Sequence, residues 1–147
     1  MKESRPDMTP REARRFTKEY MKLNEMISNQ LVVAETMAEA KQGLDMLKQM
    51  ASYDLPQAKT FYGLALLMEG KPWYDVEKGT KWLRKGAEEA EVAEHDASYS
   101  MYQYGLMLLD GLQGVQKDLV YGKYWMEKAA ANGFKPAKKE VKQRWKE

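Results

Sequence analysis

Glycines inside helical segments constrain the fold of this 147-residue chain more than any other feature. A glycine in a helix interior costs about 1 kcal/mol relative to alanine, so it is expected where another backbone comes close. Gly43, Gly79 and Gly122 begin segments that match one another three, four and eight residues further on, positions that share one helical face. The matching residues are Met46, Trp82 and Trp125, then Leu47, Leu83 and Met126, then Ala51, Ala87 and Ala130. The pattern predicts helices that pack closely through small residues.

A second helical segment recurs ahead of two of these glycines. Tyr62-Gly63 and Tyr104-Gly105 are each followed by a leucine, at Leu66 and Leu108. An acidic residue stands four positions before Gly43, Gly79 and Gly122, where aspartate would cap a helix; these residues are Glu39, Asp75 and Asp118. The three glycines are 36 and 43 residues apart. A period of this length, with two helices in each unit, predicts an all-α helical solenoid.

The length and the repeats together predict one domain over residues 9–147, preceded by a disordered segment at 1–8. Thr9, Pro10 and Glu12 form a helix start signal. The lysine-rich end of the chain predicts a polar helix that closes the solenoid. The predicted order within the domain is an N-terminal helical extension (9–38), a half repeat (39–51), a repeat (55–96), a second repeat (97–133) and a capping helix (134–147).

Composition argues against several classes of function. The chain has no cysteine, its net charge is +2, and its one histidine, His95, lies in an acidic stretch, so we expect no metal site. Neither a glycine-rich phosphate loop nor a nucleophile with its base is recognisable, and we therefore expect neither a cofactor nor enzymatic activity. No apolar stretch of about 20 residues and no signal peptide are found, so we expect a cytoplasmic protein.

The repeats resemble the Sel1-like repeat family, which is related to the tetratricopeptide repeat. The matching positions are Ala58, Gly63, Gly70, Asp75, Trp82 and Ala87 in the first full unit and Gly105, Gly111, Gly114, Val115, Asp118, Trp125, Ala129, Ala130 and Gly133 in the second. The tyrosines and leucines of the first helices are exchanged relative to the family, and Gly122 stands where alanine is usual, so we expect alanine to be tolerated there. The resemblance implies a short right-handed α-solenoid of helix-turn-helix repeats that serves as a bacterial scaffold or adaptor.

The resemblance also implies where a partner would bind, because the first helix of each unit lines the concave face of such solenoids. The residues expected on the groove side of these helices are mostly apolar or aromatic: Thr60, Leu64, Leu67, Met68, Tyr102, Leu106, Leu109 and Asp110. An exposed apolar groove of this kind predicts a site for a helix or extended segment of another protein. The alternative is that the groove is covered within the molecule, by the N-terminal helix.

Other functions remain open at this level. The basic end "KPAKKEVKQRWK" could neutralise phosphates, and Trp145 could stack on a base, which would make the chain a nucleic-acid-associated module. We favour a soluble capping helix for this segment, and we expect neither nucleic acid nor membrane among the partners. A regulatory subunit of an enzyme is a third hypothesis. We expect a monomer or a homodimer.

Overall fold

The computed structural model describes residues 10–52, 55–93 and 96–146, and these form seven α-helices and no strand. The all-α prediction is confirmed for them. The predicted disordered segment at 1–8, the capping residue Thr9 and the lone histidine His95 lie outside the described residues. The helices are α1 (Pro10–Val33), α2 (Met37–Ala51), α3 (Pro56–Leu66), α4 (Val76–Glu91), α5 (Ser98–Asp110), α6 (Leu119–Ala131) and α7 (Lys135–Arg144), with a 3-10 turn at Leu112–Gly114 between α5 and α6.

Side-chain caps fix the starts of the second helix in each pair. The Asp75 carboxylate accepts a hydrogen bond from the backbone N–H of Lys78 at 3.1 Å, and Asp118 accepts one from Tyr121 at 3.0 Å. The prediction that these aspartates cap helices is confirmed. At α2 the cap is Thr36 instead, and Glu39 completes a capping box by accepting the backbone N–H of Thr36 at 3.1 Å.

The helices pack as three successive pairs, α1–α2, α3–α4 and α5–α6, and α7 lies against α6. One buried cluster joins α1, α2 and α3, and includes Trp73 from the turn after α3. A second cluster runs from α4 to α7. Helix α3 is the most enclosed element, because it contacts α1, α2, α4 and α5. The core is therefore spread along the row of helices, as expected for a solenoid.

Close backbone packing explains the glycines of the two matched pairs. A Cβ atom on Gly79 would lie 2.6 Å from Leu67 Cγ, and one on Gly122 would lie 2.8 Å from Leu109 Cγ. The facing helices also carry glycines: a Cβ on Gly63 would lie 2.8 Å from the Gly79 carbonyl oxygen. Since van der Waals contact begins well beyond these distances, a side chain at these sites would push the helices apart. The prediction of close helix packing is confirmed.

The N-terminal pair α1–α2 follows the same register with looser contacts. Leu31 precedes Gly43 by as many residues as Leu67 precedes Gly79, and it packs over that glycine in the same way. A Cβ on Gly43 would meet only side-chain atoms, at 3.2 Å from Ile27 Cγ2 and 3.3 Å from Leu31 Cδ2. Ile27 occupies the position that is glycine in α3 and α5. A larger residue at the crossing point holds these two helices further apart.

Polar contacts hold helix ends together, both between pairs and within a pair. The Lys71 ammonium donates to the carbonyl oxygens of Val32 and Ala34, each at 2.7 Å, and so caps the C-terminal end of α1. Lys59, which is almost fully buried in α3, forms an ion pair of 3.1 Å with Glu89 of α4. These contacts tie the first turn of α3 to α4 and the end of α1 to the turn that follows α3.

Candidate partner-binding surface

Three of the eight residues predicted to line a groove are buried. Thr60 and Leu67 have no accessible surface, and Leu109 retains 4%. Leu64, Met68, Tyr102 and Leu106 are partly exposed, and Asp110 is exposed. The predicted groove-facing position is therefore wrong for Thr60, Leu67 and Leu109, which offer no surface to a partner.

Leu67 and Leu109 are buried because each packs over a glycine of its own pair, Gly79 and Gly122 respectively. Helical periodicity placed them on the side away from Tyr62 and Tyr104. The second helix of the pair covers that side, and only a narrower sector of α3 or α5 remains open.

Thr60 is buried at the junction of three helices. Its hydroxyl oxygen lies 2.7 Å from Ser100 Oγ on α5 and 3.2 Å from the Pro56 carbonyl oxygen one turn earlier on α3. A Cβ on Gly86 of α4 would lie 2.8 Å from the same hydroxyl oxygen. Thr60 thus links the first helices of the two pairs through a satisfied buried hydrogen bond, which is a structural role.

Tyr102 and Asp110 face the C-terminal helix. The rings of Tyr102 and Phe134 have centroids 5.3 Å apart, and the Asp110 carboxylate accepts from the Arg144 guanidinium at 2.8 Å. Arg144 also donates to Glu140 at 2.7 Å, and these two hydrogen bonds raise the pKa of its guanidinium. This part of α5 is covered by α7. The N-terminal helix α1, which the alternative drawn from the sequence named, packs against α3.

A strip of partly exposed side chains remains along α3, the residues that directly follow α3, and the adjoining helix α5. We call it the α3–α5 strip, and it consists of Leu64, Met68, Tyr99, Gln103 and Leu106. Leu64 and Leu106 pack against the same buried cluster and occupy equivalent positions in their pairs. Apolar side chains on two neighbouring helices, together with the partly exposed Gln103, form a surface suited to an apolar segment of another chain.

The first turn of α5 was missed by the sequence analysis. The rings of Tyr99 and buried Phe61 stack with centroids 5.5 Å apart, at the end of the strip. Burial, with a smaller contribution from the negative charge of Glu25 on α1, raises the pKa of Tyr99 to about 12. Tyr99 precedes Leu106, and Phe61 precedes Met68, by the two-turn spacing that keeps residues on one helical face. That spacing is the signal that could have identified them.

The basic C-terminal helix has limited means to bind nucleic acid. Lys138, Lys139 and Lys142 are exposed, but Arg144 is held by Asp110 and Glu140. Trp145 is half-buried, and its ring lies 5.1 Å from the ammonium of Lys123. The aromatic group that could have stacked on a base is therefore already engaged with α6.

Two absences concern the described residues, which exclude His95. None of their helices is both long and apolar enough to cross a bilayer. Among the same residues, no group of three or more histidine, aspartate or glutamate side chains is arranged to hold a metal ion.

Comparison with known families matches the two inner helix pairs. The family model described as Sel1 repeat matches residues 56–90, which contain α3 and α4, and residues 98–134, which contain α5 and α6. No curated protein and no solved structure matches the chain.

Proposed function

The chain belongs to the Sel1-like repeat family, and from this premise we propose that it is a scaffold or adaptor that binds a helix or extended segment of a partner protein along the α3–α5 strip. Sel1 repeats are generally protein-interaction modules and are typically non-catalytic. The proposal assigns the chain no reaction and no cofactor, and it includes a bacterial cytoplasmic setting.

The observation that carries this proposal is the partial exposure of Leu64 on α3, of Met68 just after α3, and of Leu106 on α5. Apolar side chains that remain accessible together, beside polar residues such as Gln103 and Asp110, are typical of protein-binding surfaces. The side chains beneath them are fixed by the glycine contacts within each pair and by the hydrogen bond between Thr60 and Ser100. A rigid base of this kind lowers the entropy lost when a partner binds.

The composition of the strip indicates the chemistry of the partner. Leucine and methionine side chains accept apolar residues, and methionine adapts to differently shaped ones. At the open end of the strip the Asp110 carboxylate is shared with Arg144, so a partner residue there meets a neutralised pair. We therefore expect apolar anchors spaced as on one face of a helix, as in other groove-bound helices.

The test is the double substitution Leu64→Glu and Leu106→Glu, compared with Val120→Glu on α6. Both leucines reach solvent, so we expect the variant to keep its helical circular dichroism spectrum. Val120 is 84% exposed and lies outside the strip, which makes Val120→Glu a matched control for added charge.

Proteins captured from a lysate by the wild type and by Val120→Glu, but lost with the double variant, would support the strip as the binding site. Equal capture of the same protein by a folded double variant would contradict it. A steep loss of binding with added salt would instead indicate phosphate contacts at α7.

A further inference from the structure

Exposed apolar side chains concentrate on the N-terminal pair α1–α2. Of the eleven large apolar side chains that the described residues expose, six belong to these two helices: Leu23, Met26, Val32, Val33, Met37 and Met46. The α3–α5 strip contains none of them. The chain therefore has a second apolar surface, which the proposed function does not use.

Part of this surface corresponds to the buried side of the inner pairs. Met26 and Met46 occupy the positions of Tyr62 and Trp82 in the second pair, whose rings touch with centroids 5.4 Å apart. Tyr62 is buried against the preceding pair and borders a cleft with Leu44 of α2. Met26 is 60% exposed and Met46 is 37% exposed, because no described helix packs before α1.

The two methionines border a groove between α1 and α2. Its volume is about 320 Å³, and its apolar lining comes from Leu23, Met26, Ile27, Leu31 and Met46. We call this groove and its rim the N-terminal face. Methionine is the residue whose flexible side chain best adapts to another apolar surface, so this pair is suited to an interface.

We propose that the N-terminal face binds the same face of a second copy of this chain, which gives a two-fold symmetric homodimer. The described part of the opposite end presents a basic surface instead. There α7 covers the core with buried Ala137, and its outward side presents Lys138, Lys139 and Lys142 to solvent. A head-to-tail contact would set methionines against lysines, whereas a two-fold contact pairs apolar with apolar and closes after two copies.

The charges of the face permit contact with its own copy. Among the described residues that line the groove, Glu39 is the one that ionises, and its carboxylate already accepts the backbone N–H groups of Glu35 and Thr36 at 3.0 and 3.1 Å. Beside the groove, Lys41 and Asp45 neutralise each other at 2.8 Å. Each copy therefore brings to the face one carboxylate, Glu39, that is already hydrogen-bonded within its own chain, and one neutralised ion pair, so the repulsion that a symmetric contact must overcome is limited.

The size of the face also suits a dimer. A helix as long as the 15-residue α2 measures about 22 Å, and two adjacent helices span about 20 Å. The flat outline of such a face covers about 440 Å², roughly half of the area that each partner buries in a standard interface, which suits a weak, concentration-dependent dimer.

The experiment measures the mass of the full chain by sedimentation velocity between about 5 and about 200 μM. We expect a concentration-dependent dimer for the wild type. The double substitution Met26→Glu and Met46→Glu should raise the dissociation constant at least 100-fold without loss of helical signal, because both side chains are already exposed. The matched control, Leu119→Glu with Val120→Glu on α6, should remain dimeric. A wild type that stays monomeric at the highest concentration, or a dimer that survives the methionine substitutions, would overturn the proposal.

A second readout tests the symmetry. The chain has no cysteine, so Met46→Cys introduces a single thiol that a short bis-maleimide reagent can join to its copy across a two-fold axis. We expect efficient cross-linking to a dimer with Met46→Cys and none with Val120→Cys. Cross-linking of the Val120→Cys chain alone, or assemblies larger than two, would overturn the symmetric arrangement. The Leu64→Glu and Leu106→Glu variant should dimerise normally, which separates this proposal from the proposed partner-binding strip.

Discussion

The N-terminal pair α1–α2 and the two inner pairs show the same packing achieved with different residues. In all three pairs a leucine of the first helix packs over a glycine of the second. The inner pairs add a glycine on the first helix, at Gly63 and Gly105, so that backbone atoms of the two helices touch. The N-terminal pair has Ile27 at that position, and only side-chain atoms meet.

The difference follows from the neighbours of each pair. An inner pair is enclosed on both sides. Close contact between its helices and the contact between its Tyr and Trp rings therefore both stabilise it. Among the described helices, the N-terminal pair has a neighbour on one side only, and Met26 and Met46 stand in place of the rings. The family model matches the inner pairs and not α1–α2. The packing register is therefore common to all three pairs, whereas the glycine on the first helix and the Tyr–Trp rings occur only in the two inner pairs.

The largest contrast is expected between Trp125→Ala and Met46→Ala, at equivalent positions of α6 and α2. Trp125 is 1% exposed, so its removal leaves a cavity and should lower the free energy of unfolding by about 3–5 kcal/mol. Met46 is 37% exposed, and its removal should cost about 1 kcal/mol or less. Urea unfolding followed by circular dichroism measures both values. Equal losses would contradict the distinction between enclosed and open pairs.

A smaller contrast, of opposite sign in the two regions, is expected for glycine to alanine. A Cβ on Gly122 would lie 3.0 Å from the Leu109 backbone nitrogen, so Gly122→Ala should destabilise by about 1–3 kcal/mol, against the tolerance expected from the family pattern. At Gly43 the nearest atoms are movable side-chain atoms, and Gly43→Ala should be neutral or stabilise by up to about 1 kcal/mol. Thermal unfolding of the two single variants measures the sign of each change in stability. If both changes have the same sign, backbone contact is not what separates the regions.

The contact between the N-terminal pair and the turn that follows α3 depends on Lys71. Its ammonium caps α1 through the carbonyl oxygens of Val32 and Ala34, so Lys71→Met should lower stability by about 1–2 kcal/mol, the scale of charged hydrogen bonds near a surface. Hydrogen exchange should become faster in α1 and stay unchanged in α6. Lys78→Met on α4 is the control, because the N–H that binds Asp75 belongs to its backbone. Equal acceleration in α1 and α6 would show that the two regions unfold as one unit.

The smallest effect concerns acid. Hydrogen bonds from the Glu35 backbone, the Thr36 side chain and the Thr36 backbone hold the pKa of Glu39 below its ordinary value of 4.5. A carboxyl group whose pKa is lowered by folding stabilises the protein above its unfolded pKa, and this contribution is lost as the pH falls through the folded pKa. Below about pH 4.5 the wild type should therefore lose slightly more stability than Glu39→Gln, as measured by thermal unfolding from pH 7 to pH 3. Parallel curves would contradict a role for this capping box.

The sequence predicted local features well, because helix periodicity and capping depend on residues near one another. The aspartate caps and the close contacts of Gly79 and Gly122 are such features. It failed where the answer depended on how many helices surround α3 and α5. A helical wheel separates the side of Tyr62 from its opposite, but it does not reveal that a second helix covers Leu67 or that α5 covers Thr60. The cover that α7 provides over Tyr102 likewise depends on the path of the last helix.

The same reasoning applies to the tryptophans. Trp82 and Trp125 hold one position of the repeat, and this shared position predicts equivalent core residues. Trp125 is buried, but Trp82 is only partly so, and the Lys85 ammonium lies 5.2 Å from its ring. Trp125 lies among Tyr104, Tyr121 and Tyr124, whereas Trp82 contacts Tyr62. The repeat position predicted which helical face carries each tryptophan. The number of neighbouring aromatic residues accounts for the greater burial of Trp125.

The most direct measurement of the central claim is hydrogen exchange on the full chain with and without the captured partner. If the α3–α5 strip binds the partner, protection should increase in α3 and α5, around Leu64, Met68 and Leu106. The exchange of α7 should remain as it is in the free protein. Protection confined to α7, or to the second helices α4 and α6, would contradict the account.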